Sequence, residues 1–208
     1  MDEKALTPPA LNTPHPWSKT LVEALLPFVT PRTYRKGIRL DFLEANTPVC
    51  RLILSGSVEV HRTADHLLVV RAPSFTILGL GVTGSYIITA EPCKIATLPL
   101  VEVHQHIQEL GLWEVLAKHM VVVSSKLFSY SRQLSAPTAY EVICSQLIEL
   151  MHESESLRKT LSVERFIRDR THLSRSSIMK ILADLKLGGY ISIENGRLIA
   201  IHHLPQKY

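Results

Sequence analysis

Residues 162–201 read SVERFIRDRTHLSRSSIMKILADLKLGGYISIENGRLIAI. Ser162 is placed to cap a short helix carrying Val163, Phe166 and Ile167, since a serine hydroxyl can accept from an otherwise unsatisfied N–H of the first helical turn. A turn through Thr171, His172 and Leu173 follows. Ser174 then caps a second helix, Arg175 to about Leu187, which stops at Gly188 and Gly189. In that helix Ile178, Ile181, Leu182 and Leu185 recur at i, i+3, i+4 and i+7, one apolar stripe. Opposite it lie Ser176, Met179, Lys180 and Ala183, with Arg175 at the N-terminal end. One face therefore holds the helix on its domain, while small and cationic side chains are left to reach base edges and phosphates in a major groove. Next, Asn195 and Gly196 stand between two apolar runs. Asn-Gly is a strong hairpin signal, because both central residues of a type I′ turn need positive φ. The predicted hairpin is a wing with Asn195 and Arg197 near its tip.

Charge agrees with that reading. The chain of 208 residues has a formal net charge of +4. Residues 157–208 hold ten Lys or Arg against four Asp or Glu, while residues 1–156 hold 13 against 15. The basic surplus belongs to the C-terminal part, a footprint suited to a polyanion.

Working toward the N-terminus, the apolar side chains Trp113, Leu116, Met120, Val123, Leu127, Tyr130 and Leu134 recur at spacings of three and four. That is an a/d heptad seam without Gly or Pro, and it predicts a helix that pairs with its symmetry mate. Pro137 is expected to end it, and another helix is expected over 138–152, with a polar stretch from Glu153 to Lys159 before the final module. From about Arg32 to Leu100, short apolar runs such as Val58-Glu-Val60 and Leu67-Leu-Val-Val70 are cut by Gly56, Pro73 and Gly79. This is the grammar of a β-sandwich or barrel. A short helix with Leu21, Leu25 and Leu26 on one face precedes it. Residues 1–16, with Pro8, Pro9, Pro14 and Pro16, read as a flexible extension. The fold class is α+β, with four segments: an extension over 1–16, a barrel over 17–110, a dimerisation helix over 111–136 and a winged helix-turn-helix over 137–208.

With these elements in this order, the chain resembles the cyclic-AMP receptor and fumarate–nitrate regulator (Crp/Fnr) superfamily over roughly residues 20–205. Leu52-Ile-Leu-Ser-Gly-Ser-Val-Glu-Val60 is similar to that superfamily's strand–glycine–strand signature. Ser174-Arg175-Ser-Ser-Ile178, followed by Lys180-Ile-Leu182, is similar to its recognition helix. Within the superfamily the chain most resembles the small group of inhibitors of hydrogen peroxide resistance. The resemblance implies a dimeric transcription regulator with a cyclic-nucleotide-like jelly roll, a role in the oxidative-stress response, and an operator of duplex DNA in inverted repeat. RNA polymerase is an open candidate partner. By that match Arg175, Ser176 and Lys180 take the base-reading and groove positions, and the expected DNA contacts also include Ser174, Ser177, Asn195 and Arg197.

Departures from the pattern are informative. His172 stands where a helix-turn-helix usually has glycine, so it must accept a left-handed conformation or open the turn. Arg168 occupies a usually small position, and Val163 and Glu164 replace polar or basic phosphate contacts. Where cyclic-nucleotide binders carry Gly-Glu-Leu and Arg-Ser-Ala, this chain has Ile77-Leu78-Gly79 and a shorter loop, Val82 to Tyr86, with no arginine. Between Arg71 and Glu91 there is no charged side chain. A cyclic phosphate needs a cation or directed N–H donors to leave water. The expected pocket is therefore apolar, with Ile77, Leu78, Leu80, Val82, Tyr86, Ile87 and Ile88 available as lining, and takes neither cyclic AMP nor cyclic GMP; it is either filled by its own side chains or open to an apolar ligand.

Other classes find little support. Cys50, Cys93 and Cys144 lie far apart and read as reduced, buried thiols of a cytoplasmic protein. The start, Met1-Asp2-Glu3-Lys4, is not a signal peptide, and the uncharged run from Ala72 to Ala90 is broken by Pro73 and three glycines, unlike a membrane span. His104, His106 and Glu109 invite comparison with a cupin metal site but have the wrong spacing. No phosphate loop, nucleophile elbow or catalytic carboxylate pair is present. No enzyme, cofactor, metal or membrane partner is expected. The competing reading is a non-catalytic module that dimerises and docks a protein through its winged domain.

Overall fold

The structure is a computed structural model that describes residues 15–134 and 138–205. Most of the expected N-terminal extension, and the helix stop at Pro137, lie outside the described residues. The chain divides into two compact units that part between Lys126 and Leu127, and each is treated by itself.

The first unit opens on helix α1 (Pro16–Leu25), whose first turn is set by Pro16 and by the His15 side chain accepting from the Trp17 N–H. Leu21, Val22 and Leu25 form its buried stripe. Leu26, expected on that stripe, instead enters a 3₁₀ turn and is 37% exposed. Nine strands follow: β1 (Arg32–Tyr34), β2 (Arg39–Asp41), β3 (Leu43–Glu44), β4 (Thr47–Ser55), β5 (Val58–Arg62), β6 (Leu68–Ala72), β7 (Thr76–Leu78), β8 (Ser85–Thr89) and β9 (Cys93–Pro99). They form two antiparallel sheets. One has the order β1-β9-β4-β3 with β7 also on β4, and the other the order β2-β8-β5-β6. Gly56 joins β4 to β5 at φ +79, and a Cβ there would lie 2.6 Å from the Pro92 carbonyl oxygen and 2.7 Å from Cys93 Sγ. The glycine in the strand–glycine–strand signature is thus required twice, by conformation and by space.

Strand alternation divides the apolar side chains between two layers. Ile53, Val58, Ala72, Ile87, Cys93 and Ile95 pack together between the sheets. Cys50, Leu52, Ile77, Ala96 and Leu98 point the other way, against α1 and against Val103 and Ile107 of helix α2 (Leu100–Glu109). Helix α3 (Trp113–Leu134) begins on this layer, with Leu112, Val115 and Leu116 packed against it.

The second unit contains α4 (Ala139–His152), which starts with a full capping box between Thr138 and Glu141. The stretch 153–159, read as a polar connection, is mostly helical: α5 (Glu155–Thr160) is capped by Ser154 and carries a Glu155–Lys159 pair one turn apart at 2.6 Å. Then come α6 (Val163–Arg168), α7 (Arg175–Leu187) and the antiparallel hairpin β10 (Ile191–Glu194) and β11 (Arg197–Ile201). Their shared core gathers Ile143 and Leu147 of α4, Phe166 and Ile167 of α6, Ile178 and Leu185 of α7, and Ile191 and Leu198 of the hairpin. Among the described residues no helix is long and apolar enough to cross a membrane.

Candidate nucleic-acid interface

Helix α7 is fixed at both ends by its sequence. Ser174 Oγ accepts from the Ser177 N–H at 3.1 Å and lies 2.9 Å from both the Ser176 and the Ser177 hydroxyl, so three serine side chains surround the first turn. At the other end the Tyr190 N–H donates to the Leu185 carbonyl and the Gly189 N–H to that of Lys186, with Gly189 at φ +70. That is a Schellman stop, and it is why the Gly188-Gly189 pair ends the helix. Ile178, Ile181, Leu182 and Leu185 are buried. Ser174, Arg175, Ser176, Ser177 and Lys180 are exposed, as is half of Met179. The macrodipole adds partial positive charge at the serine-lined end.

The turn between α6 and α7 works without glycine. His172 is not among the left-handed residues. Thr171 does the work instead: its Oγ1 donates to the Ile167 carbonyl at 2.9 Å and accepts from the Leu173 N–H at 3.4 Å. A threonine side chain thus replaces the backbone contortion that glycine normally absorbs, and His172 opens outward, exposed. Sequence reasoning posed the alternative at His172 but missed the residue that resolves it.

The wing is held against the start of α6. Asn195 at φ 49 and Gly196 at φ 76 make the expected type I′ turn. The Gly196 carbonyl accepts from the Val163 N–H at 2.9 Å, satisfying an orphan donor of α6, while Ser162 Oγ accepts from Arg165 N. Asn195 and Arg197 are exposed at the tip. On α6, Arg165 pairs with Asp169 at 3.5 Å and Arg168 with Glu164 at 2.9 Å, and Arg175 Nε lies 4.0 Å from the same Glu164 oxygen. Arg170 is 7% exposed. It stacks over Phe166 at 3.6 Å and sits 3.9 Å from Glu153, a framework role.

On α3, Trp113 is 45% exposed and its indole N–H donates to Gln108 at 2.6 Å. Met120 and Val123 are half-buried, Leu127 is exposed and Tyr130 buried; Leu134 ends the helix and its side chain lies outside what the structure describes. Val121 and Phe128, which fall outside the heptad seam, are 66% and 68% exposed. His119 is 4% exposed; burial first, then His15 and Lys126, pushes its pKa down to about 4.

The barrel interior departs from the expected lining. Alternation splits the apolar run: Leu78 and Ile87 point between the sheets, Ile77 and Leu80 pack toward the helices, and Val82 is exposed. Tyr86 lies on the outer face of its sheet, stacked on His61 and under the Arg39 guanidinium. The interior does hold a charge, supplied by β4. Arg51 is 1% exposed, and its guanidinium donates to Thr97 Oγ1 at 2.8 Å, the Asp41 carbonyl at 2.7 Å and Glu44 Oε1 at 2.7 Å.

All three thiols are disfavoured as thiolates. Burial pushes Cys50 up to about 12, and Cys93 and Cys144 upward as well; Cys50 donates to the Gly79 carbonyl and Cys93 to that of Ser57. His106 is stacked on Phe28 and lies 3.3 Å from Glu109, while His104 is near Trp113. Among the described residues no group of three or more His, Cys, Asp or Glu is disposed to hold a metal.

Comparison with known proteins agrees with this geometry. Residues 139–206 match the family described as winged helix-turn-helix DNA binding. The inhibitor of hydrogen peroxide resistance of Escherichia coli (strain K12) is 30% identical over 188 residues, covering 84% of this chain and 91% of that protein. Among solved structures, the c-di-GMP-responsive global regulator CLP of Xanthomonas campestris superposes with a TM-score of 0.69 at 17% identity, over 88% of this chain and 98% of that one. A Crp/Fnr-family transcriptional regulator from Thermus thermophilus gives a TM-score of 0.57 at 17% identity, over 82% and 94%. The two structures share the fold.

Proposed function

We propose that this chain, which belongs to the family of the inhibitors of hydrogen peroxide resistance, is a homodimeric, DNA-reading transcription regulator of Crp/Fnr type that works in the cytoplasm and needs no cyclic nucleotide. The observation that carries the reading is α7: a helix buried along Ile178, Ile181, Leu182 and Leu185, presenting Arg175, Ser176 and Lys180 to solvent beside an anchored wing. Arg175 reads a base edge, Lys180 reaches groove or phosphate, the serine-lined helix end and Ser177 position the backbone, and Asn195 and Arg197 touch the flanking phosphates.

The domain plan is a barrel over 17–110, a pairing helix over 111–136 and the winged module over 137–208. Trp113, Leu116, Met120, Val123, Leu127, Tyr130 and Leu134 supply the dimer seam. The two-fold makes the operator an inverted repeat with half-sites about one helical turn apart or a multiple of it. The barrel is a degenerate effector domain: the Arg51 guanidinium is already engaged by Glu44, Thr97 and Asp41, and Leu78 replaces a ribose acceptor. The proposed role in the oxidative-stress response is supported by the name of the E. coli relative, and RNA polymerase is a candidate partner of the DNA-bound dimer.

Gel-shift titration tests the reading on a duplex enriched by the protein from a random pool. Arg175→Ala relaxes preference at one position of each half-site and costs roughly 1–3 kcal/mol there. Lys180→Ala weakens binding across sequences if it reaches phosphate. Both variants binding as tightly and selectively as the parent would refute the assignment.

A further inference from the structure

We infer that Glu164 is a specificity-determining residue: its carboxylate draws Arg168 and Arg175 away from phosphate and leaves the tip of Arg175 to the bases. The inference rests on the reading of α7 as the DNA-contacting helix. Glu164 lies in the first turn of α6, with its side chain only 16% exposed, and one of its oxygens, Oε1, faces two cations. Arg168 donates to it at 2.9 Å from the preceding part of the motif, and Arg175 Nε is 4.0 Å away from the start of α7. The Arg175 side chain is 75% exposed. The pair therefore engages the Nε edge of the guanidinium and leaves the two terminal amino groups, the fork that matches the O6 and N7 of guanine.

The consequence is a difference between two kinds of acceptor. A phosphate that approaches Arg168 or Arg175 also approaches the Glu164 carboxylate, which repels it, and it gains two cations already partly neutralised. A guanine edge carries no net charge and meets no such repulsion. Glu164 thus penalises sequence-independent contact more than base contact, and selectivity is that difference. The neighbouring Arg165–Asp169 pair at 3.5 Å acts in the same sense, so α6 offers phosphate cations that are already matched, while α7 keeps Arg175, Lys180 and Lys186 against Asp184.

The test uses full-length protein, a duplex enriched from a random pool by the parent, and a scrambled duplex of equal length, each titrated over a range of salt. Glu164→Gln keeps a carbonyl that can accept from Arg168 and removes the charge. It is expected to bind the scrambled duplex more tightly, with a steeper salt dependence by about one phosphate contact, and to lower the ratio of selected to scrambled affinity roughly two- to five-fold. In an Arg175→Ala background the same substitution should leave the ratio almost unchanged, which a merely structural role for Glu164 would not produce. An unaltered ratio and salt slope in Glu164→Gln, or an equal loss of ratio in the Arg175→Ala background, overturns the inference while the DNA reading stands. A parent that binds neither duplex in a salt-dependent way overturns the DNA reading itself.

Discussion

The barrel interior predicts an asymmetry that ordinary cores do not show. Glu44→Ala removes the carboxylate paired with the Arg51 guanidinium, which is 1% exposed and, among the described residues, keeps Thr97 Oγ1 and the Asp41 carbonyl as acceptors. Stranding a partner of a fully buried ion pair costs about 3–5 kcal/mol. Here the carboxylate side is 54% exposed, so solvent already screens the pair and recovers part of that, and about 2 kcal/mol is expected. For a body of this size that lowers the thermal midpoint by roughly 6–12 °C. Arg51→Met together with Glu44→Gln removes both charges, fills most of the volume and leaves only a hydroxyl and a carbonyl short of a donor. It should therefore be the more stable of the two variants, by about 1 kcal/mol. Urea titration followed by tryptophan fluorescence is the assay, because both tryptophans, Trp17 and Trp113, lie in the barrel unit. A Glu44→Ala protein as stable as the parent, or a double variant less stable than Glu44→Ala, would refute the account of Arg51 as a charge that must be matched from within.

Further outcomes follow from other parts of the chain. His119 is held near pKa 4 against about 6.5 when unfolded, so its contribution is complete above pH 6.5 and declines as pH falls toward 4, by up to about 3 kcal/mol; His119→Leu should flatten unfolding free energy against pH across that window, and an unchanged slope would reject it. With all three thiols pushed upward by burial, iodoacetamide at pH 7.5 should label the native protein far more slowly than free cysteine, and rapid labelling of any thiol would contradict the burial argument. Val123→Asp places a carboxylate on the proposed seam against its own symmetry mate, so sedimentation should show monomer and operator affinity should collapse; a parent already monomeric at micromolar concentration that still binds DNA counts against the seam. Calorimetry with millimolar cyclic AMP should give no saturable heat, and micromolar affinity would mean that the Arg51 site is open to ligand.

The winged module was readable because several independent signals coincide within it. Caps at Ser162 and Ser174, one helical stripe, a double glycine and Asn195-Gly196 each dictate local geometry through short-range physics. The two-layer placement of β7 and β8 was not readable. Ile77, Leu78, Tyr86, Ile87 and Ile88 form runs apolar on both faces, so period two cannot say which side is the interior. Arg51 was invisible for a related reason: in a sequence an arginine reads as surface, and its partner Glu44 becomes relevant only when β3 pairs back onto β4. At the turn before α7, the absence of glycine was legible, but the compensating Thr171 hydrogen bonds depend on the backbone that α6 presents.

The bond from Val163 to the Gly196 carbonyl has a wider meaning for the module. It joins residues 33 positions apart, so the hairpin tip and the first helix of the motif cannot fray independently. The tip is thus tied to α6, and α6 shares a buried core with α7 through Phe166, Ile167, Ile178 and Leu185, so on the proposed reading tip and α7 act as the jaws of a calliper whose gap is set during folding. Little chain entropy remains to be lost when a duplex enters, and the heat-capacity change on association should reflect surface burial with almost no coupled ordering. On the proposed reading the same rigidity limits tolerance: a duplex whose groove is too wide must itself be deformed to fit, and affinity is expected to depend on groove width as well as on base identity.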